Sequence, residues 1–316
     1  MSGPFDRELL WLGGGVLVVL VAASVAGALL ARRVREEPGR ATVANLNARI
    51  GAWWVMCAVV AGALLTGSVG AVLLFGMTSF LAMREFITLT PTGHGDHRTL
   101  LWVFFLVMPI QYGLIWRDWY GLFAIFIPVY AFLLLPTRSA LAGETEGFLA
   151  RTATIQWALM ICVYCVSYAP ALLTLEIAGY EGEGAKLLLF LIVVVQGSDV
   201  AQYVWGKLFG RHPIASTVSP NKTWEGFVGG IATATLIGTG LWWVTPFAPW
   251  QAGVMSLVIA LMGFAGGLTM SAIKRDRGVK DFGTFIAGHG GVLDRIDSLC
   301  FAAPVFYHLT RYFFGG

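Results

Sequence analysis

Long apolar runs alternate with short polar breaks along the whole of this chain. A helix that crosses a bilayer needs about 20 mainly apolar residues. Runs near that length lie at about 9–31, 50–65, 69–83, 99–116, 119–135, 154–175, 185–207, 226–247, 250–273 and 292–312. The second and third are short and are divided only by Thr66-Gly67-Ser68, so they read either as two spans or as one bent element. The pattern therefore predicts an all-α, polytopic integral membrane protein with nine or ten transmembrane helices.

Composition removes the competing classes. Hydrophobic residues make up 57% of the 316 positions and charged residues 12%, whereas soluble domains carry about 25% charged residues. A soluble core cannot hide so much apolar surface, and disorder is excluded by the same numbers. The 12 Trp and 21 Phe suit a lipid-facing or interfacial surface, and the 39 Gly suit close helix packing in lipid.

The net charge of +3 is informative only once the charges are placed. Arg32, Arg33, Arg35, Arg40 and Arg49 fall in the first polar break. With ten spans, the same side also holds Arg84, Arg98, Arg138, Arg151, Lys207, Arg211, Lys222, Lys274, Arg275, Arg277 and Lys280. The opposite side keeps Arg7, Arg117, Lys186 and Arg311, and its loop 176–184 is acidic. A nine-span arrangement would flip every later loop and destroy this asymmetry. Ten spans are expected, with both termini outside and the basic loops on the cytoplasmic side of the cell's inner membrane. The first run follows Asp6-Arg7-Glu8 and exceeds the about 7–15 apolar residues of a signal peptide, so it is expected to be a retained helix.

Two local motifs carry little. Cys162-x-x-Cys165 lies inside an apolar run with no second pair nearby, and with Cys57 and Cys300 it reads as a set of small buried hydrophobes. His94, Asp96 and His97 share one polar loop, but no fourth metal ligand is near in sequence.

Two basic-side stretches differ from the rest. One runs from Gln196 through Asp199, Lys207 and Ser219-Pro-Asn221-Lys222-Thr223 to Gly226; the other runs from Ser271 through Lys274, Arg275, Lys280 and Asp281 to Gly288-His289-Gly290-Gly291, Asp294, Arg295 and Asp297. Asp199 follows a continuous apolar run, and an ionisable group at that depth costs at least a few kcal/mol unless partnered. Asp294 and Asp297 are spaced i, i+3 on a helix expected to start near 292, so both face one side. Two close carboxylates repel unless a cation lies between them, and Mg²⁺ takes one or two carboxylates plus substrate phosphates. The competing reading is that they cap the helix N-terminus. Glycines that run into a helix start form an anion site. Together with Lys274, Arg275, Arg277 and Lys280 they describe a polyphosphate–Mg²⁺ site.

The second stretch resembles the signature of the phosphatidate cytidylyltransferases. Ser271, Lys274, Arg275, Lys280, Asp281, Gly283, Ile286, His289, Gly290, Gly291, Val292, Asp294, Arg295, Ile296 and Asp297 match it, and Ala287 stands where the family has Pro or Gly. The first stretch resembles the upstream block at Asp199, Tyr203, Gly206, Lys207, Phe209, Gly210, Ser219, Pro220, Lys222, Thr223, Trp224 and Gly226, departing at Gln202, Pro213 and Ser216. The resemblance covers about 185–312, so the chain divides into divergent N-terminal helices, 1–180, and a catalytic region, 181–316.

The resemblance implies that CTP and phosphatidic acid react to give CDP-diacylglycerol and pyrophosphate with Mg²⁺, a monovalent cation being an optional companion. Implied metal ligands are Asp199, Asp281, Asp294 and Asp297. Lys222, Lys274, Arg275, Lys280 and Arg295 are implied phosphate clamps, with His289 either donating to phosphate or bracing the glycine turn. Ser219, Asn221, Thr223, Ser271, Gly290 and Gly291 are implied to line the substrate. Expected partners are these two substrates and a second copy of the chain, with no nucleic acid. The alternatives are the same chemistry, or a CTP-dependent kinase, on an isoprenoid-type lipid. A lipid transporter fits less well, because the charges gather on one face and no repeat relates the halves.

Overall fold

The computed structural model describes residues 7–34, 36–37, 39–285 and 290–315. Ten helical rods follow the apolar runs: α1 (Arg7–Arg33), α2 (Gly39–Leu65), α3 (Gly67–Thr88), α4 (Asp96–Trp116), α5 (Tyr120–Ala140), α6 (Phe148–Thr174), α7 (Gly184–Phe209), α8 (Trp224–Gly240), α9 (Pro249–Asp276) and α10 (Leu293–Phe314). Eight are long and apolar enough to cross a membrane. The other two are α8, with 17 residues, and α10, whose first turns carry Asp294, Arg295 and Asp297. The protein is a helical, multi-pass membrane protein.

The break at Thr66 separates α2 from α3. α2 also begins earlier than the apolar run at 50, because helix-compatible polar residues extend it to Gly39. Arg40 and Arg49 therefore lie on this helix and not in the first loop. Between α7 and α8 the chain forms an antiparallel hairpin, β1 (Pro213–Ala215) and β2 (Ser219–Thr223), which the all-helical expectation did not contain.

Interior prolines shape α5. A proline at position i cannot donate to the carbonyl at i−4, so Pro128 and Pro136 free the carbonyls of Ala124 and Phe132. Both are taken by α6, where the Tyr164 hydroxyl donates to Ala124 O at 2.8 Å and Gln156 Nε2 to Phe132 O at 2.7 Å. A wide π-type turn accompanies the first proline, at Phe126–Ala131.

α1 and α2 are peripheral and bury few residues. They are tied together by Trp54 Nε1 donating to Ser24 Oγ at 3.0 Å. α1 joins the rest through Lys186 of α7, an almost fully buried ammonium whose Nζ lies 2.5 Å from both Glu8 and Glu183. α7 to α10 form the tightest block, and small residues set its spacing. A Cβ on Gly226 would lie 2.8 Å from Gln202 O, and one on Gly266 would lie 2.6 Å from Asp297 O. Such contacts let helices approach closely in lipid.

His94, Asp96 and His97 do not form a ligand set. Asp96 is buried at the start of α4, where its Oδ2 accepts from Arg151 Nε at 2.8 Å and from Gly93 N at 2.9 Å. The four cysteines are free thiols.

Candidate active site

Four elements meet at the basic end of this block: the lower half of α7, β2, the C-terminal end of α9 and the N-terminal end of α10. Ser298 joins two acids there. Its hydroxyl donates to Asp199 Oδ1 at 3.1 Å, while its backbone N–H donates to Asp297 Oδ1 at 2.9 Å. Among the described residues no hydrogen bond reaches the second oxygen of either carboxylate. Gln196 Nε2 of α7 donates to Arg295 O at 3.3 Å and fixes the two helices one turn away.

Besides Lys274, which lies near Asp297 and bonds Asp294, two cations face this pair. Thr223 is the N-cap of α8, its hydroxyl accepting from Gly226 N at 3.2 Å. The residue before the cap, Lys222, is thereby directed beneath α9. Its Nζ lies 4.9 Å from the Phe264 ring centre, and a Cβ at Gly267 would lie 2.9 Å from it. Burial pushes the Lys222 ammonium below its ordinary value, against the pull of the Asp297 and Asp199 carboxylates. The second cation is Arg295, whose Nε is buried without a hydrogen-bond partner among the described residues. A buried donor without a partner costs about 1–3 kcal/mol, so among the described residues this N–H is one that an incoming acceptor could satisfy.

Asp294 has a different environment from Asp297, although the two are one turn apart. Its Oδ1 accepts from Lys274 Nζ at 2.8 Å, and its Oδ2 accepts from Phe282 N at 2.8 Å and Gly291 N at 3.0 Å. The Asp294 and Lys274 side chains are 2% and 12% exposed. Asp294 thus holds the loop after α9 against the start of α10 without capping the helix, since its backbone donors, Phe282 N and Gly291 N, precede the first turn.

The anion site expected at the start of α10 is occupied by the protein itself. Glu85 of α3 accepts from Val292 N and Leu293 N, each at 2.9 Å. Neither Glu85 nor Ser298 was singled out by sequence. Glu85 is a lone acid at the end of an apolar run, and that is its only signal.

The remaining expected residues spread outward. Arg275 Nε donates to Val218 O at 3.2 Å and its Nη1 to Val279 O at 2.9 Å, joining the hairpin to the loop after α9. Ser271 donates to Gly267 O within its own helix at 2.6 Å. Ser219 pairs with Ala215 in the hairpin, while Asn221, Lys280 and Asp281 are exposed. His289, together with Ile286, Ala287 and Gly288, lies outside the described residues.

Gly290 has φ +81°, and a Cβ there would come within 2.8 Å of Asp294 Oδ2. Gly290→Ala is expected to destabilise the protein by at least about 1–2 kcal/mol, the left-handed backbone penalty alone. A lowered melting temperature in detergent micelles would register it.

Among the described residues no three His, Cys, Asp or Glu side chains gather closely enough to hold a metal unaided. Two carboxylates with open oxygens do fit Mg²⁺, which completes its shell with water and substrate phosphates. Asp199, Asp297, Lys222 and Arg295 sum to no net charge. The arrangement suits a ligand that brings its own divalent cation and several phosphate oxygens.

Residues 47–313 match a family described as the cytidylyltransferase family. The chain is 40% identical over 303 residues to "Uncharacterized protein YnbB" of Escherichia coli K12, covering 94% of this chain and 96% of that protein. It is 34% identical over 216 residues to a phosphatidate cytidylyltransferase of Bacillus subtilis, covering 68% and 77%. It is 37% identical over 172 residues to one from Mycobacterium leprae, there spanning about half of each chain, 54% and 53%. With the family matched over most of its length, and with an acid pair, two facing cations and a capped signature helix in place, the chain belongs to the cytidylyltransferase family and is a nucleotidyltransferase.

Proposed function

We propose that the protein transfers the cytidylyl group of CTP to the phosphate of phosphatidic acid, giving CDP-diacylglycerol and pyrophosphate. The observation that carries this reading is the Asp199–Asp297 pair, with Lys222 beside it and an Arg295 Nε that has no partner among the described residues, at the basic end of the block. A phosphate oxygen of the lipid attacks the α-phosphorus of CTP, and the bond from that phosphorus to the bridging oxygen of the β-phosphate breaks. Both reactants are anions, so positioning and charge neutralisation matter more than a strong base.

Asp199 and Asp297 are the proposed Mg²⁺ holders, and the ion's contribution when bound is to neutralise charge on the phosphates. Lys222 and Arg295 contact phosphate oxygens from the protein side. Lys280, exposed at the rim, adds attraction for the incoming nucleotide. Lys274, Arg275 and Asp294 hold the loops in place through the bonds described above. The placement of basic loops supports an inner-membrane enzyme whose site faces the cytoplasm, with the acyl chains of the lipid remaining in the bilayer.

A second lipid class is favoured by one observation. The relatives named phosphatidate cytidylyltransferase match over 53% and 77% of their length, whereas the Escherichia coli protein matches over 96%. Helices outside the signature, which would face the acyl or prenyl chain, therefore diverge from those enzymes. The test is to incubate the purified protein with labelled CTP, Mg²⁺ and a panel of diacyl and isoprenoid lipid phosphates. A labelled CDP-diacylglycerol with released pyrophosphate is expected. Product from isoprenoid phosphates alone would transfer the reading to that class, and no product from any lipid would overturn it.

A further inference from the structure

We infer that Glu85, on α3 in the N-terminal half, is a positioning residue for the signature helix; the inference rests on the cytidylyl-transfer reading given above. The first N–H groups of a helix have no partner within it, and at α10 two of them, Val292 N and Leu293 N, point at one carboxylate. Oε1 takes the first and Oε2 the second, each at 2.9 Å. The positive end of the helix dipole favours an anion there, and charge-assisted bonds are the stronger kind.

The surroundings are shaped to this carboxylate. A Cβ at Gly283 would lie 2.8 Å from Glu85 Oε1, and one at Gly291 would run into the same carboxylate. The two glycines thus make room for a side chain that arrives from about 200 residues earlier. Next to it, Phe86 stacks on Phe282, ring centres 6.1 Å apart at 21°. α3 itself is held firmly, since Ala82 and Met83 on the adjoining turn are fully buried.

What this fixes is the rotation of the first turns of α10. Asp297 lies one turn after Leu293, on the same face. A helix start clamped at two consecutive N–H groups has no freedom to roll, so the Asp297 carboxylate stays opposite Asp199. The clamp also fills the helix N-terminus. Nucleotide phosphates are thereby directed to Lys222, Arg295 and the acid pair rather than to the helix end.

The experiment compares Glu85→Ala and Glu85→Gln with the parent protein, full length and in lipid nanodiscs. Two quantities are measured: CDP-lipid formation across a Mg²⁺ titration, and backbone hydrogen exchange of peptides covering 290–297. For Glu85→Ala, kcat is expected to fall about 10- to 100-fold, the scale of losing charge-assisted hydrogen bonds that orient a reacting group. The Mg²⁺ level for half-maximal rate should rise about tenfold, while KM for the lipid phosphate stays within about twofold, since the lipid site is untouched. Exchange at 290–297 should quicken in the absence of any substrate. Glu85→Gln keeps one acceptor oxygen and the side-chain shape, so it should recover part of each loss, and it carries the test if the alanine variant does not fold.

Parent-like kcat, Mg²⁺ dependence and exchange in both variants would overturn the inference. So would a loss confined to thermal stability. If the parent protein forms no CDP-lipid, the functional reading fails, and the exchange measurement alone decides the role of Glu85: faster exchange supports it and unchanged exchange overturns it.

Discussion

Asp297→Asn is expected to reduce kcat by about 10³-fold, equivalent to about 4 kcal/mol of lost transition-state stabilisation, while the protein stays folded and inserted in the membrane. The fold survives because the carboxamide oxygen of asparagine still accepts from Ser298 N, the contact now made by Asp297 Oδ1. What disappears is one of two charges that oppose Lys222 and Arg295, and with it one of the two proposed oxygen ligands for Mg²⁺. Removing the charge takes away both the repulsion from Asp199 and the attraction to Lys222 and Arg295, which oppose each other, so the melting temperature in detergent should stay within about 4 °C of the parent. Labelled CDP-lipid formation and a thermal melt on the same preparation check both halves. Near-parent turnover would refute the role of Asp297. Asp281→Asn is the contrast, because Asp281 is exposed and its loss should cost less than about tenfold, as for other solvated charges.

Arg295→Gln should lower kcat/KM for CTP by about 10²- to 10³-fold, about 3–4 kcal/mol. The reason is the state of its guanidinium before any substrate arrives. Nε is buried and has no hydrogen-bond partner among the described residues, so a phosphate oxygen arriving there satisfies a donor that those residues leave open. Arg295→Lys should not restore activity, since an ammonium lacks the planar fork and its Nε–H. The melting temperature without nucleotide is measured alongside, to separate a folding defect from a nucleotide defect. Steady-state kinetics at varied CTP, together with a melt, test this; a defect in KM for the lipid alone would contradict it.

The helical, multi-pass fold and most residues of the proposed site stood out in the chain because polar groups in so apolar a sequence are costly and therefore conspicuous. Asp199 stood out within a hydrophobic run, and the 271–297 block stood out by combining acids, bases and glycines. What spacing did not reveal was direction. Asp294 and Asp297 share a helical face, yet α10 begins at Leu293, so Asp294 is in the first turn and reaches back to Lys274, Phe282 and Gly291. Asp297, one turn deeper, meets Ser298 and faces Asp199. Glu85 was invisible for another reason: its partners are backbone N–H groups distant in sequence, and such groups leave no residue type to notice. The hairpin at 213–223 was hidden by Pro213 and Pro220, which suppress a strand reading. The early start of α2 was hidden because a hydropathy ruler ends where polar residues begin, even when the helix continues.

The two prolines of α5 bear on how the protein is assembled. Two carbonyls in that helix find their donors on α6, at Tyr164 and Gln156. Alone in lipid, α5 would expose both acceptors to hydrocarbon, at a cost of several kcal/mol each. The segment is therefore a poor membrane solute until its successor arrives, and the thermodynamically complete unit of insertion is the α5–α6 pair.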